Sequence, residues 1–303
     1  MKNRELRLLL TQNCNLDCFF CHKEGVHKRK KQILTNDDYG FLFTSCHKLY
    51  GWDTVTLSGG EPFLAKGFLC LMEKLKELGA KTTIVSNGTL LEQYARSKQL
   101  GDLLDKITIS LHTTQSDIYK KITRGNFDIE NIKENLKVLR QNNPELSIRI
   151  NYTLLEDVNT KPEYFEEAIK FAHSIKASIR FIELCDDQTD YYPIEKVGEW
   201  LRGVGFIEID KNLLQWYFSD GEVAVILNRI VCSVARALHT PTPHCNDTNS
   251  VFLSSDGTIK PCMMREFEIS VLDEIKNRNI LELSRKMNIF FDSIEHLCPY
   301  RKV

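Results

Sequence analysis

The sequence has no long apolar run and almost no net charge. No stretch of the 303 residues approaches the roughly 20 apolar positions that a membrane-spanning helix needs. The apolar core of the amino-terminal segment, LRLLL, is too short and too charged for a signal peptide, so we expect a cytoplasmic protein. The formal charge of −1 argues against a nucleic-acid-binding or membrane-surface protein. Repeats and low-complexity segments are also missing.

Cysteine, by contrast, is abundant, with ten residues in the chain. Disulfides rarely persist in a reducing compartment, so clustered cysteines there indicate metal or iron–sulfur ligands. The first cluster consists of Cys14, Cys18 and Cys21. The others that group together lie towards the carboxyl terminus, namely Cys232, Cys245, Cys262 and Cys298. Three isolated cysteines in apolar surroundings are predicted to be small buried core residues: Cys46, Cys70 and Cys185.

Strand-like and helix-like patterns alternate over the first 190 residues or so. Short apolar runs rich in β-branched residues predict strands buried on both faces at 5–11, 54–58, 81–86, 106–111, 147–155 and 178–184. Amphipathic patterns between them predict helices, for example at 68–78, 131–141 and 163–175. This alternation predicts an α/β fold with right-handed βαβ units and a parallel sheet, open or curled into a barrel.

The βα rhythm changes after about Asp186. One more helix is predicted at 193–206, followed by two strands around a turn at Ser219–Gly221. The remaining residues carry four cysteines and little repeating βα pattern. We therefore predict two domains, a barrel at 1–205 and a smaller carboxyl-terminal domain at 206–303.

The first cysteine cluster, with the spacing C-x3-C-x2-C, follows directly after the first predicted strand. In parallel α/β sheets the active site lies at the carboxyl ends of the strands. Three thiolates on so short a loop suit three irons of a 4Fe–4S cube, whose fourth iron is then open to a chelating small molecule. The alternatives are a zinc site completed by His22, or three unrelated thiols.

A second motif, LSGGEP at 57–62, ends the second predicted strand. Gly59 and Gly60 would let the backbone approach a ligand closely, with N–H groups free to donate. Glu61 would accept hydrogen bonds from an ammonium group. Alone the motif also fits an ordinary turn, but its position one strand after the cysteine cluster makes a shared site the better interpretation.

Together, the two motifs resemble those of the radical S-adenosylmethionine (SAM) superfamily. The resemblance implies a 4Fe–4S cluster held by Cys14, Cys18 and Cys21, with SAM chelating the fourth iron. It also implies reductive cleavage of SAM to a 5′-deoxyadenosyl radical that abstracts hydrogen from a substrate, with an electron donor such as flavodoxin or ferredoxin. The cofactor-binding residues implied are Phe20 beside the adenine, Gly59, Gly60 and Glu61 at the methionyl group, and Ser86, Asn87 and Ser110 at the next strand ends. The last three also fit plain strand-end turns.

A longer resemblance, from about Arg7 to Met264, is to the GTP 3′,8-cyclases of molybdenum-cofactor biosynthesis. It rests on the segments CHKEG, YKKITRGNFD, IRINYTLLEDVN, IRFIEL and SSDGTIKPCMM. It implies a partial (β/α)6 barrel, TIM-like, capped by a carboxyl-terminal domain whose second 4Fe–4S cluster lies next to the nucleotide.

The chain departs from the cyclase pattern at the second cluster and at the substrate. Thr242 stands where the cyclases have the first cysteine of a C-x2-C pair, so Cys245 and Cys262 remain as ligands. Cys298, in preference to Cys232, is predicted to complete the set. The spacing C-x11-G-x4-C at 245–262 also fits the auxiliary-cluster domains of radical enzymes that modify peptides and aminoglycosides. Threonines replace basic residues on the second strand, and the arginines that follow the auxiliary pair in cyclases are missing.

Three arginines do match basic cyclase positions and are predicted to bind substrate: Arg7, Arg149 and Arg180. Each also fits an ion-pair partner inside the barrel. We therefore predict a radical SAM enzyme that rearranges, or forms a carbon–carbon bond in, a nucleotide-like substrate. The alternative is a dehydrogenase, epimerase or cross-linking maturase acting on a peptide or amino sugar. A non-catalytic iron–sulfur or zinc protein is a further alternative, which the paired motifs disfavour.

Overall fold

The computed structural model describes residues 5–26, 31–184, 191–212, 214–229, 250–261 and 267–294. In these ranges one sheet contains twelve strands. They are β1 (Glu5–Thr11), β2 (Thr54–Gly59), β3 (Lys81–Ser86), β4 (Lys106–Ser110), β5 (Ser147–Thr153), β6 (Ser178–Ile182), β7 (Ile207–Lys211), β8 (Gln215–Ser219), β9 (Ala224–Asn228), β10 (Ser250–Ser254), β11 (Thr258–Lys260) and β12 (Ile269–Ser270).

The α-helices of the described ranges lie mostly between these strands. They are α1 (Asn36–Tyr50), α2 (Phe68–Glu77), α3 (Glu92–Ala95), α4 (Gln99–Leu103), α5 (Ser116–Thr123), α6 (Ile129–Asn142), α7 (Pro162–Ser174), α8 (Ile194–Gly203), α9 (Leu272–Lys276) and α10 (Ile280–Ile294). Two 3₁₀ turns, Lys23–Gly25 and Pro62–Leu64, follow β1 and β2. None of the helices in these ranges is long and apolar enough to span a membrane.

The strand order is β12-β11-β10-β1-β2-β3-β4-β5-β6-β9-β8-β7. The run from β10 to β9 is parallel throughout, whereas β11 and β12 at one edge and β8 and β7 at the other are antiparallel. Since the described sheet ends in two separate edges, it does not close. This open parallel sheet with interleaved helices confirms the predicted α/β partial barrel.

Residues 206–303 contribute strands to both sides of the barrel sheet. Strand β9 pairs with β6, and β10 pairs with β1, both in parallel. The predicted hairpin around Ser219–Gly221 is confirmed by the antiparallel pairing of β8 with β9. The division into domains at residue 205 stays a prediction.

The two faces of the sheet differ in polarity. On β1, Leu6 and Leu8 are at most 1% exposed and pack among the helices, while the intervening Arg7 faces the other way. On β5, Ile148 and Ile150 alternate in the same manner with Arg149. We call the inner, polar face the lumen. The predicted burial on both faces is seen, for example, along β2, where Thr56 and Ser58 are buried as well as Val55 and Leu57, but alternate residues of the strands line a polar interior.

The isolated cysteines have different environments. Cys46 is buried in α1, as predicted, and burial raises the pKa of its thiol to about 12. Cys70 is exposed, which contradicts the prediction, because Leu71 and Met72 rather than Cys70 turn towards the core on α2. Five cysteines lie outside the described residues: Cys185, Cys232, Cys245, Cys262 and Cys298.

Candidate active site

The cysteine loop, defined as residues 12–26, begins where β1 ends and carries Cys14, Cys18 and Cys21. Cys14 and Cys21 are exposed and Cys18 is half-buried. The Cys21 N–H donates to the Cys18 carbonyl at 3.0 Å, and the Lys23 N–H donates to the Cys21 sulfur at 3.4 Å. The fold therefore presents three accessible thiols at the carboxyl end of a parallel strand.

Electrostatics favours a cationic group among these thiols. Burial raises the pKa of Cys14, and burial together with the charges of Cys21 and Cys14 raises the pKa of Cys18 to about 12. Thiolates that repel one another in this way are stabilised by iron ions, which bind the deprotonated form. The donor set thus fits an iron–sulfur cluster.

A mononuclear zinc site fits less well. In the described ranges, no three His, Cys, Asp or Glu side chains form a group that would hold a metal ion. His22, the proposed fourth zinc ligand, accepts the Glu24 N–H on Nδ1 at 3.1 Å. The ligands of a 4Fe–4S cube bind different irons, so they need not converge on one point as zinc ligands must.

The two glycines of the GGE motif pack against the start of the cysteine loop. Gly59 has φ +128°, and a Cβ there would lie 2.3 Å from the Thr11 carbonyl oxygen. A Cβ on Gly60 would lie 2.2 Å from the Asn13 carbonyl oxygen. The N–H groups of Gly60 and Glu61 donate to these same carbonyls, at 2.7 and 2.8 Å. The prediction that the N–H of Gly60 is free to donate to a ligand is therefore wrong, because this N–H and that of Glu61 hold the cysteine loop.

Glu61 is fully buried and joins the ends of β2 and β3. Its carboxylate accepts hydrogen bonds from the Phe63 N–H at 3.2 Å, the Ser86 hydroxyl at 2.9 Å and the Asn87 N–H at 2.8 Å. Burial raises the pKa of this carboxyl, although the three donors oppose that rise. The role of Glu61 towards an ammonium group stays a prediction.

Asn87 links the end of β3 to the cysteine loop. Its Nδ2 donates to the Asn15 Oδ1 at 2.9 Å and lies 3.7 Å from the Cys14 sulfur. Its Oδ1 accepts from both the N–H and the hydroxyl of Thr89, and Asn15 Nδ2 donates to that hydroxyl at 2.8 Å. Asn15 and Thr89 were not predicted. Their only signal in the sequence is their position beside predicted site residues.

Phe20 packs edge-on against His112, with ring centroids 5.0 Å apart. His112 follows β4, has φ +54° and is 7% exposed. Its Nδ1 accepts the Thr153 N–H at 3.0 Å, and Asn159 donates to its carbonyl at 2.8 Å. Burial lowers the pKa of His112 to about 4, so the ring is neutral with its proton on Nε2. Ser110, the residue predicted in this segment, is half-buried at the end of β4.

The cysteine loop also rests on α5 and reaches into the lumen. The N–H groups of Asp17 and Phe19 donate to the last turn of α5, at 3.0 and 3.2 Å. At the other end of the loop, Glu24 accepts from Arg7 Nη2 at 2.7 Å and from the Ser58 hydroxyl at 2.6 Å. Burial raises the pKa of Glu24, but Arg7, His22 and Ser58 outweigh burial and hold it below the usual range. Arg7 is thus an ion-pair partner, and its binding to substrate stays a prediction.

Three further cations line the lumen without a direct ion pair in the described ranges. Lys106, Arg149 and Arg180 form no ion pair within the described part of the chain, and we call them the lumen cations. Arg180 donates to Asn151 at 3.0 Å, whereas Arg149 Nε is buried without a hydrogen-bond partner. Burial first, and then Arg149 and Arg7, lower the pKa of Arg180 to about 10. Burial, Arg149 and Arg180 likewise lower the pKa of Lys106.

Lys106 was not predicted as a site residue. It begins β4, two and four residues before Thr108 and Ser110, so it shares their face of the sheet. That spacing was the signal available in the sequence. A strand that starts with lysine is nevertheless common at protein surfaces, and only the strand register brings Lys106 near the two arginines.

Comparison with known proteins identifies the family. The sequence model of the Radical SAM superfamily matches residues 8–172, which include the cysteine loop and the GGE motif. The chain belongs to the radical SAM superfamily. Radical SAM enzymes use a 4Fe–4S cluster and SAM, and the three accessible thiols at the end of β1 fit that cluster.

Several relatives of this radical SAM enzyme carry the name "Probable GTP 3',8-cyclase". The one from Methanococcus maripaludis strain C5 is 30% identical over 311 aligned residues, covering 99% of this chain and 96% of the relative. The one from Pyrobaculum aerophilum is 28% identical over 290 residues, covering 91% and 89%. The enzyme is therefore related to the cyclases over nearly its whole length.

Solved structures share the fold. Streptococcus suis SuiB bound to S-adenosylmethionine superposes with a TM-score of 0.64 at 17% identity, over 90% of this chain and 65% of SuiB, so the chain spans just under two thirds of the length of SuiB. The anSMEcpe structure with bound AdoMet gives 0.58 at 16% identity, over 92% of this chain and 80% of that one. At these identities the likeness concerns the fold alone.

Proposed function

We propose that this radical SAM enzyme abstracts a hydrogen atom from a nucleotide-like substrate, in a cyclase-like rearrangement or carbon–carbon bond formation. The observation that carries the proposal is the set of lumen cations, Lys106, Arg149 and Arg180, which form no ion pair in the described part of the chain, although the charge of Glu5 acts on Lys106 and Arg180. These half-buried cations outnumber the carboxylate Glu5 that acts on them, and cations left without an ion pair in a protein interior are unfavourable, so the lumen calls for an anionic ligand. Phosphate groups suit arginine because the guanidinium fork donates two parallel hydrogen bonds.

The names of the relatives support a nucleotide. Proteins named "Probable GTP 3',8-cyclase" are 28–30% identical to this chain over nearly its full length. We carry GTP, or a related purine nucleotide, over to this chain as the first substrate to test. The three lumen cations occupy adjacent strands, β4, β5 and β6, and so suit a ligand with several phosphates.

The cofactor roles follow from the cysteine loop and the strand ends around it. Cys14, Cys18 and Cys21 would hold the cluster, which when bound supplies the electron for reductive cleavage of SAM. Phe20, Gly59–Glu61, Ser86, Asn87 and Ser110 would orient SAM at the carboxyl ends of β1 to β4. The lumen of the partial barrel would limit the access of water to the reacting atoms. A flavodoxin- or ferredoxin-like protein would supply the electron.

A second cluster is part of the proposal. Its ligands would be Cys245, Cys262 and Cys298, with Cys232 as the alternative to Cys298, all outside the described residues. Anaerobic reconstitution followed by iron and sulfide analysis tests it, and we expect about eight irons per chain, from two 4Fe–4S clusters. About four irons would leave the front cluster alone. Zinc without sulfide would contradict both clusters.

The substrate is tested with reduced enzyme, SAM and a panel of nucleotides. We expect one purine nucleoside triphosphate to raise 5′-deoxyadenosine formation well above the background without substrate. The doubly substituted variant Arg149→Gln, Arg180→Gln is expected to lose that stimulation but keep the background. If no nucleotide stimulates the wild type, the nucleotide proposal fails, and peptides or amino sugars become the substrates to test.

A further inference from the structure

Three charged side chains of the lumen each have one buried polar atom without a hydrogen-bond partner in the described ranges. Two of these atoms are donors, Arg7 Nε and Arg149 Nε, and the third is an acceptor, Glu24 Oε2. Buried polar atoms are rarely left unpaired, so each calls for a bound water or a ligand. Glu24 is the informative one, because the donors match an anion but the acceptor does not.

The Glu24 carboxylate is held in a fixed position and charge state. Its Oε1 accepts from both Arg7 Nη2 and the Ser58 hydroxyl, and the side chain is 9% exposed. Arg7, His22 and Ser58 outweigh burial and keep the pKa of Glu24 low. An ionised carboxylate only accepts hydrogen bonds, so whatever meets Oε2 must donate one.

The location of Glu24 indicates which part of a bound ligand could donate a hydrogen bond to Oε2. Glu24 lies on the cysteine loop, three residues after Cys21, and its backbone φ is +51°. Its partner Arg7 lies on β1, with the Phe252 ring centroid 5.6 Å from the guanidinium carbon. The Arg7 charge also lowers the pKa of Arg180, so Glu24 and the lumen cations belong to one continuous polar interior.

The lumen cations lie within the first three residues of β4, β5 and β6, whereas the cysteine loop follows the end of β1, so a nucleotide with its phosphates at these cations can direct its sugar towards that loop. Saturated C–H bonds, which a carbon-centred radical abstracts more readily than those of an aromatic base, are in the sugar. On such a ligand, the hydrogen-bond donors next to the phosphates are the sugar hydroxyls. We propose that Glu24 Oε2 accepts a hydrogen bond from a sugar hydroxyl of the substrate and thereby selects ribonucleotides over their deoxy forms. This inference rests on the proposed nucleotide substrate.

The test is a binding cycle between Glu24 and the ligand hydroxyls. Calorimetry with cluster-loaded, SAM-free enzyme measures the affinity for GTP, 2′-deoxy-GTP and 3′-deoxy-GTP. Loss of the recognised hydroxyl is expected to weaken wild-type binding about tenfold, as for a hydrogen bond to a charged group. In Glu24→Gln, Arg7 and Ser58 keep the amide oxygen at the Oε1 position, which puts an NH₂ group where Oε2 was. In this variant, removal of the hydroxyl is expected to weaken binding about threefold or less, because a neutral hydrogen bond has roughly half the strength of one to a charged group.

Two variants serve as checks. Ser58→Ala removes a donor from Oε1 but leaves Oε2 unchanged, so the tenfold preference should persist. Glu24→Asp keeps the charge but retracts the oxygen, so the preference should fall as in Glu24→Gln. The absorbance of the cluster and the thermal unfolding midpoint establish that each variant is folded and loaded.

The outcomes separate this inference from the proposed function. If GTP binds but the deoxy analogues lose the same affinity in wild type and Glu24→Gln, or lose none, Glu24 meets only water and the inference is overturned. The nucleotide proposal would then still hold. If no nucleotide binds at all, both are overturned.

Discussion

The proton of His112 is fixed by a single backbone hydrogen bond. Because Nδ1 accepts the Thr153 N–H and burial lowers the pKa of the ring to about 4, the neutral form with a proton on Nε2 is stable around pH 7. The left-handed backbone of His112, with φ +54°, is also unusual for a residue other than glycine or asparagine. Nothing in the sequence SLH signals these constraints, because Thr153 and Asn159 lie more than 40 residues away.

This arrangement predicts a pH dependence of stability. The unfolded chain, in which histidine has a pKa near 6.5, binds a proton between about pH 6.5 and 4 that the folded chain excludes. The contribution of His112 is therefore complete above pH 6.5 and falls as the pH decreases, by about 2 kcal/mol at pH 5. Anaerobic urea unfolding at pH 5 and pH 8 measures it. His112→Asn tolerates the backbone conformation and should lose about that much of the difference, whereas an unchanged difference would contradict the assignment.

At the scale of elements, the start of α1 holds the carboxyl-terminal helices. The Asp38 carboxylate accepts the Thr35 N–H at 2.8 Å in a capping box, and it pairs with Lys276 and Arg278 at 2.5 and 2.9 Å. Lys276 ends α9, which packs on α10. One carboxylate thus satisfies a helix terminus and also links α1 to the α9 segment.

Asp38→Ala should lower the free energy of unfolding by about 2 kcal/mol, since a cap and two partly buried ion pairs are lost together. Asp37→Ala is the matched control, because Asp37 is the neighbouring residue but is largely exposed and pairs with the half-buried Lys74. Urea unfolding of both variants gives the comparison. Equal effects of the two substitutions would contradict the role assigned to Asp38.

Elements were predictable where the signal is local. The six strands from β1 to β6 have local apolar runs and were predicted at nearly their observed bounds. The cysteine spacing likewise located the cysteine loop directly after β1. The pairing between strands that are distant in the chain could not be predicted from the sequence. The parallel addition of β9 to β6 and of β10 to β1 depends on register, which a single sequence does not encode locally. For the same reason the contact of Gly60 with Asn13 was missed.

Over the whole molecule, charge is unevenly distributed. The chain has a net charge of −1, yet in the described ranges the lumen contains Arg7 and the three lumen cations, and the carboxylates whose charges act on them are Glu5 and Glu24. A cationic interior within a nearly neutral protein would raise the local concentration of an anionic ligand in the lumen, without attracting polyanions to the outer surface.

Lys106→Met tests this distribution. The variant should weaken GTP binding to the cluster-loaded, SAM-free enzyme about tenfold, as for the loss of one charge-assisted hydrogen bond. Lys137→Met is the control, because Lys137 is exposed on α6 and pairs only with its neighbour Glu134 among the described residues. Calorimetry at two salt concentrations should show a weaker salt dependence for Lys106→Met than for the control. Equal affinities for the two variants would exclude Lys106 from the site.

The central claim is that a radical generated at the cysteine loop takes hydrogen from a nucleotide in the lumen. Its most direct measurement uses GTP with a deuterated ribose, reduced enzyme and SAM, followed by mass spectrometry of 5′-deoxyadenosine. We predict that 5′-deoxyadenosine acquires one deuterium, and that Arg149→Gln, Arg180→Gln abolishes the transfer. Unlabelled 5′-deoxyadenosine from wild-type enzyme saturated with each deuterated purine ribonucleotide would contradict the account.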